Sequence, residues 1–202
     1  MRTRKSKIVL LGVGIVAACG LSGCEMIKGY MRAKRAAVKW EGPVAEISYA
    51  KLDKDGKVFD IELQSRIDAP IDKVWDVVKK PELLADYSEQ YKLSKLLKEE
   101  GNMKQLELHV LALDNLQQFK LELTFNDQAK RVDVKTLEST LADITGTYEL
   151  RPSPDGAKTL YIYKAKQTDK VMLPISTDVQ RSAIKESFVS QINAIKKQLG
   201  VG

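Results

Sequence analysis

Between Tyr91 and Gln167 the chain reads as strand after strand, and it then closes on one long amphipathic helix. That order leaves few folds open. The predicted strands are Tyr91–Glu99, Met103–Leu113, Leu116–Phe125, Lys130–Glu138, Asp143–Arg151 and Thr159–Gln167. Turn residues divide them: Gly101-Asn102, Asp114-Asn115, Asn126-Asp127 and Ser153-Pro154-Asp155-Gly156. Connections this short place consecutive strands antiparallel, as a meander. The clearest alternation runs from Phe119 to Phe125, with Phe119, Leu121, Leu123 and Phe125 on one face. The helix is predicted from about Asp178 to Leu199, with Thr177 and Gln180 as a capping box and Gly200 as the stop. Ile184, Phe188, Ile192, Ile195 and Leu199 make one continuous apolar stripe along it. At about 1.5 Å per residue such a helix is roughly 33 Å long, enough to cross a curved sheet.

Upstream, Phe59–Ile67 alternates apolar and polar residues with period two, the pattern of a strand with one face on a core. Asp68-Ala69-Pro70 ends it. Pro70 suits a helix start, and Ile71, Val74, Trp75 and Val78 then form a single helical stripe. Pro81 opens a second short helix carrying Leu83, Leu84 and Tyr87. Val44–Leu52 reads as extended, and Asp53-Lys54-Asp55-Gly56 as a turn. A calcium loop is excluded for that turn, because the later ligands of a twelve-residue EF-hand are missing.

The amino terminus has a different character. Arg2, Arg4, Lys5 and Lys7 precede an apolar run from Ile8 to Ala18. That run is shorter than the ~20 residues of a spanning helix and has the length of an export-signal core. It ends at Leu21-Ser22-Gly23-Cys24, which resembles the lipobox of bacterial lipoproteins. The resemblance implies cleavage before Cys24, lipidation of its sulfur and a membrane anchor for the rest of the chain. The plainer alternatives are an ordinary secretory signal or a short buried helix. Residues 25–41 are cationic, with Ile27, Tyr30, Met31 and Val38 at roughly helical spacing. Both an amphipathic helix at anionic headgroups and a solvated tether fit that pattern. The expected organisation is a signal at 1–23, a lipidated terminus and basic tether at 24–42, an extended segment and turn at 43–57, and a domain at 58–200.

With the leader set aside, the charge balance loses its basic tilt. The chain has 33 Lys and Arg against 27 Asp and Glu, and four of those cations lie in the leader, leaving 29 against 27. The tether carries five cations and two acids, so residues 42–202 hold 24 against 25. A nucleic-acid-binding domain keeps a basic face in its folded part. No nucleic-acid partner is therefore expected. The two cysteines are Cys19 and Cys24, both at the leader, so the domain has no thiol for disulfides, zinc thiolates or nucleophilic catalysis. His109 is the single histidine. A multi-histidine metal site cannot be built, and a Ser-His-Asp triad would have to use it. No cofactor is implied.

Ile67-Asp-Ala-Pro-Ile-Asp-Lys-Val-Trp-Asp-Val-Val78 resembles the opening of the START-related, polyketide cyclase and lipid-transport superfamily (SRPBCC), where a strand runs into a helix that begins A-P-x-x-x-V-W. Ala85-Asp-Tyr87 falls where relatives such as the coenzyme Q-binding proteins carry an aromatic. The resemblance covers residues 58–200 and implies an α+β helix-grip fold. In that fold a curved antiparallel sheet of about six to seven strands wraps the C-terminal helix, and two short helices follow the first strand. It specifies fold far better than function, because the superfamily holds carriers, enzymes, receptors and interaction modules.

One sheet curled around one helix cannot fill its own concavity with backbone, so side-chain volumes decide whether a cavity remains. Phe119, Phe125 and Phe188 are large enough to close it, whereas Val110, Ala112, Val134, Ile144 and Gly146 leave room. Strand parity makes Phe119, Leu121, Leu123, Val134, Ile144, Ile184 and Phe188 the expected apolar ligand contacts. Tyr148 and Thr136 are the polar side chains on the same faces, able to hydrogen-bond a ligand or to serve as satisfied core residues. His109 shares parity with Gln105 and Glu107 and is expected to point away. Tyr161 and Tyr163 oppose Leu160 and Ile162, and parity does not say which pair faces inward. Trp75 is expected in the core, near the cavity mouth. Val171-Met-Leu-Pro174 reads equally as a lid, a membrane contact or packed cover.

Three functions fit this reading. The first is an envelope-anchored, periplasm-facing binding or transfer protein for a hydrophobic small molecule or lipid. Glu25, rather than Asp, after the cysteine favours the outer over the inner membrane. The second is an envelope scaffold with a closed core that docks a protein partner. The third is a cyclase or hydrolase working in the same cavity, with Tyr148, Tyr163 and His109 as its only acid–base candidates.

Overall fold

The computed structural model describes residues 47–52, 58–112, 114–171 and 175–201. The leader, Cys24, the tether, the Asp53–Gly56 turn and Met172–Pro174 lie outside the described residues. The chain forms β1 (Ile47–Leu52), β2 (Val58–Ile67), helix α1 (Ile71–Val78), a 3-10 turn (Pro81–Leu83), helix α2 (Leu84–Tyr87), strands β3 (Tyr91–Glu100), β4 (Met103–Ala112), β5 (Asn115–Asn126), β6 (Arg131–Ser139), β7 (Ala142–Pro152) and β8 (Thr159–Asp169), and helix α3 (Thr177–Leu199). All pairings are antiparallel and the order across the sheet is β1-β2-β8-β7-β6-β5-β4-β3.

Seven strands come from residues 58–169, and the eighth is the extended segment before them. It pairs with β2 from Ile47 opposite Gln64 to Leu52 opposite Phe59. The β2–β8 pairing joins the start of the domain to the end of its meander. Edge strand β3 carries Lys92, Lys95, Lys98, Glu99 and Glu100, all exposed. Charges along an edge discourage pairing with another chain.

Helix α3 starts one residue earlier than predicted, and its cap is Ser176 rather than Thr177. Ser176 is extended (φ −68°, ψ 155°), and its hydroxyl accepts from the Val179 N–H at 3.3 Å. The third residue after it is Val179, so no capping box forms. The stop is as predicted: Gly200 takes φ +68°, a conformation that disfavours side chains, and Val201 N–H closes on the Lys196 carbonyl at 3.0 Å. Phe188, Ile192 and Ile195 of the predicted stripe are buried, joined by Ala194, while Ile184 and Leu199 are partly covered.

The buried core joins α1 to the sheet at the end away from the N-terminal half of α3. There Trp75 from α1 meets Phe125 edge-on, with centroids 6.1 Å apart and planes at 68°. Phe59, Leu106, Leu123, Val132, Val134 and Leu150 belong to the same buried cluster. Burying an aromatic side chain completely contributes about 3 kcal/mol, and Trp75 and Phe59 are both buried to within 1%. The indole N–H of Trp75 donates to Asp127 Oδ1 at 2.6 Å, and Lys130 Nζ sits 5.7 Å from the ring centroid. Helix α1 is thereby pinned to the β5–β6 turn. Trp75 lies in the core as predicted, but at this packed end and away from the cavity lining.

Candidate functional site

Helix α3 does two jobs along its length. Its C-terminal half, with Ile192, Ala194 and Ile195, packs straight onto the sheet and the short helices. Its N-terminal half stands off, and Gln180, Ala183, Ile184, Ser187, Phe188 and Gln191 roof a cavity of about 400 Å³. Ile61, Tyr91, Leu108, Val110, Ala112, Phe119, Leu121, Ile144, Tyr148 and Tyr163 supply walls and floor. Asn115, Gln117, Leu141, Gln167, Asp169 and Ile175 complete the lining. A container with mostly apolar walls and a few polar groups suits a hydrophobic ligand.

Two local features of the sheet adjoin this cavity. The β6–β7 ladder ends at Lys135 opposite Thr145, and the strands then part. Beyond that point the Ile144 N–H donates to Thr136 Oγ1 at 3.0 Å, a side chain standing in for the missing backbone acceptor. At Gly146 the sheet is unusually close. A Cβ there would fall on the Lys164 carbonyl and within 2.7 Å of Ala165 Cβ, so only glycine permits this β7–β8 contact.

Of the residues singled out in the sequence, Phe119, Leu121, Ile144, Tyr148, Ile184 and Phe188 line the cavity, as do Val110 and Ala112. Leu123, Val134 and Thr136 do not. Leu123 and Val134 sit farther along the same faces, where the strands close on the packed end, and are buried in the core cluster. Thr136 is buried with its hydroxyl engaged by Ile144. Same parity therefore did not mean same compartment. Gly146 acts through sheet packing, with no part in the lining. His109 points away as expected, its Nε2 3.0 Å from Glu107 Oε1.

The pair left open by parity resolves in favour of the tyrosines. Tyr163 stacks on Tyr148 at 4.7 Å, Tyr161 lies 5.5 Å from Tyr148, and Phe188 approaches Tyr161 and Tyr163 at 6.1 and 6.4 Å. Leu160 and Ile162 are also buried, on the other face, which is why alternation could not choose. Gln191 Nε2 donates to the Tyr161 hydroxyl at 3.3 Å. Burial pushes the Tyr148 phenol up to about 12 and also raises Tyr91, Tyr161 and Tyr163 well above the ordinary phenol value. Near neutral pH these phenols are uncharged donors, not bases.

The polar rim of Gln117, Gln167 and Asp169 is not among the residues the sequence singles out, although Gln117 shares parity with Phe119, and Gln167 and Asp169 with Tyr163. A polar side chain near a strand end carries no apolar contrast to mark it. Gln167 Nε2 donates to Asp169 Oδ1 at 2.8 Å, and partial burial raises the Asp169 carboxyl. Exposed apolar side chains adjoin this rim in the chain: Leu116 between Asn115 and Gln117, Val171 just after Asp169, and Val179 before Gln180. On the outer side, a broader, open and polar groove of about 690 Å³ runs between Tyr87–Glu89 and α3. The Ser88 and Ser190 hydroxyls meet there at 2.6 Å, and Gln90 Nε2 donates to Ser187 Oγ at 3.1 Å, tying α3 to the chain before β3.

Residues 58–200 match the family described as polyketide cyclase / dehydrase and lipid transport. Among solved structures, the ZhuI aromatase/cyclase from Streptomyces sp. R1128 is similar with a TM-score of 0.63 at 15% identity, over 70% of this chain and 93% of that one. A START superfamily protein from Mycobacterium smegmatis matches with a TM-score of 0.57 at 13% identity, over 71% and 97%. The ginseng major latex-like protein 151 from Panax ginseng matches with a TM-score of 0.56 at 14% identity, over 71% and 98%. At such identities the likeness is one of fold. No curated protein matches the chain by sequence.

Proposed function

Because this chain belongs to the polyketide cyclase / dehydrase and lipid transport family, we propose that it is a lipid-anchored carrier which binds a hydrophobic small molecule or lipid in the cavity beneath α3. The observation that carries this reading is the cavity itself, about 400 Å³ with aromatic and aliphatic walls. At ~24 cal/mol per Å³ an empty apolar void of that size costs about 10 kcal/mol, an upper bound for a cavity with an open mouth. That is comparable to the whole stability of a domain. A pure scaffold gains nothing from such a void, and a few larger side chains would close it. The carrier reading is therefore favoured over a closed-core docking module.

Catalysis finds less support. The phenols are held protonated by burial, His109 is on the opposite face, and among the described residues lining the cavity the one acid is Asp169 on its rim. The Leu21-Ser22-Gly23-Cys24 signature supports lipidation at Cys24 and a periplasm-facing domain. Purification from native membranes followed by mass spectrometry tests both halves. A diacylglyceryl group on Cys24 and a stoichiometric co-purifying hydrophobe are expected. An unmodified chain retaining its leader would overturn the anchor, and a protein free of any hydrophobe would overturn the carrier.

A further inference from the structure

We infer that the cavity selects by charge: it accepts a hydrophobic ligand whose polar end is uncharged or cationic, and it rejects carboxylates and phosphates. This selectivity presupposes the carrier reading above. Among the described residues that line the cavity there is no Lys, Arg or His, and Asp169 is the one charged group. The nearby lysines are directed elsewhere. Lys164 and Lys166 alternate with Tyr163, Ala165 and Gln167 and are exposed on the other face of β8. Lys170 Nζ is held by Asp143 at 2.8 Å and by the Ser139 carbonyl at 3.0 Å. Lys185 lines the outer groove instead.

An anion entering such a space gives up its hydration and meets no compensating cation. The protein's own groups report the same environment. Burial raises the pKa of Tyr148, Tyr161 and Tyr163, and of Asp169, so negative charge is disfavoured at floor and rim alike. The polar atoms that meet inside are neutral: the phenols of the sheet and the Gln191 amide of the roof. They complement a carbonyl, ether or hydroxyl. A cationic end reaching the rim finds Asp169. Free fatty acids and phosphate-bearing lipids are the classes excluded.

The test uses the purified full chain and a neutral fluorescent reporter, N-phenyl-1-naphthylamine, displaced by three probes with one ring system. These are 2-acetonaphthone (neutral), 2-naphthylmethylamine (cationic) and 2-naphthoate (anionic), compared at pH 7. The ketone and the amine are expected to displace the reporter with at least tenfold lower midpoints than the naphthoate. Asp169→Asn should bring the amine's midpoint toward the ketone's, and Gln117→Lys should bring the naphthoate within about threefold of the ketone. A naphthoate that competes as well as the ketone in the unaltered protein overturns the charge rule and leaves the carrier standing. A reporter that fails to bind overturns both.

Discussion

Thr136 shares a strand face with Val134, but its Oγ1 is engaged by the Ile144 N–H at 3.0 Å instead of facing a ligand. The hydroxyl replaces a ladder acceptor where β6 and β7 separate, so it shapes the cavity without lining it. Thr136→Val keeps the volume and leaves that buried N–H without a partner, which costs about 1–3 kcal/mol. Urea unfolding should show the unfolding free energy lowered by that amount, as a lower midpoint at unchanged slope, and an unchanged midpoint would mean that the bond is dispensable. Among the tyrosines the sequence is least legible. Tyr161 and Tyr163 share β8 with Leu160 and Ile162, which are buried on the opposite face, so no apolar–polar contrast marks the inner side. Tyr148 is readable, because its neighbours in the alternation are charged or small.

The short helix α1 is fixed by a charge at its far end. Asp127 in the β5–β6 turn accepts the Trp75 indole N–H at 2.6 Å and faces Lys79 at 3.6 Å, and Lys130 pairs with Asp72 at 2.9 Å. The indole hydrogen bond first, and then Lys79, hold the Asp127 carboxyl below its ordinary value. A folded-state pKa that is depressed contributes stability above the unfolded value near 4 and loses it as pH falls through the folded one. The unaltered protein should therefore lose more of its urea midpoint between pH 7 and pH 3 than Asp127→Asn does. Equal losses would show that the indole bond does not depend on the charge. Helix α3 is legible almost to the residue, because its stripe and Gly200 are local signals. The division of that helix into a roof and a plug is not, because Ile184 and Ile192 look alike until the sheet beneath them is known.

For the molecule as a whole, the cavity depends on the stand-off of one half-helix and should be removable without unfolding anything. Ala183 sits in that roof. Ala183→Phe should fill the space, reduce reporter binding at least tenfold and leave the melting temperature within a few degrees of the parent. Undiminished binding by a folded Ala183→Phe protein would place the ligand elsewhere. Filling is preferable to truncation here, because deleting Phe188 or Tyr161 would also remove core packing, at about 3–5 kcal/mol each.

Local signals in the chain specify the elements, their order and the antiparallel meander closed by a long helix. Period-two alternation, a 3.6-residue stripe, Gly101, Gly156 and Gly200, and the run from Ile67 to Val78 are properties of a few neighbouring residues. Residue inventory also sets the limits on chemistry, with one histidine and no cysteine beyond Cys24. Three outcomes come from the folded arrangement alone. It separates the inward residues that share the cavity from those that close the far end, turns the extended segment into an eighth strand, and gives the rim an acid without a lysine. Those outcomes depend on distances between side chains far apart in the chain. Phe119 and Leu123 are alike in parity, but α3 stands off from one and the core closes over the other.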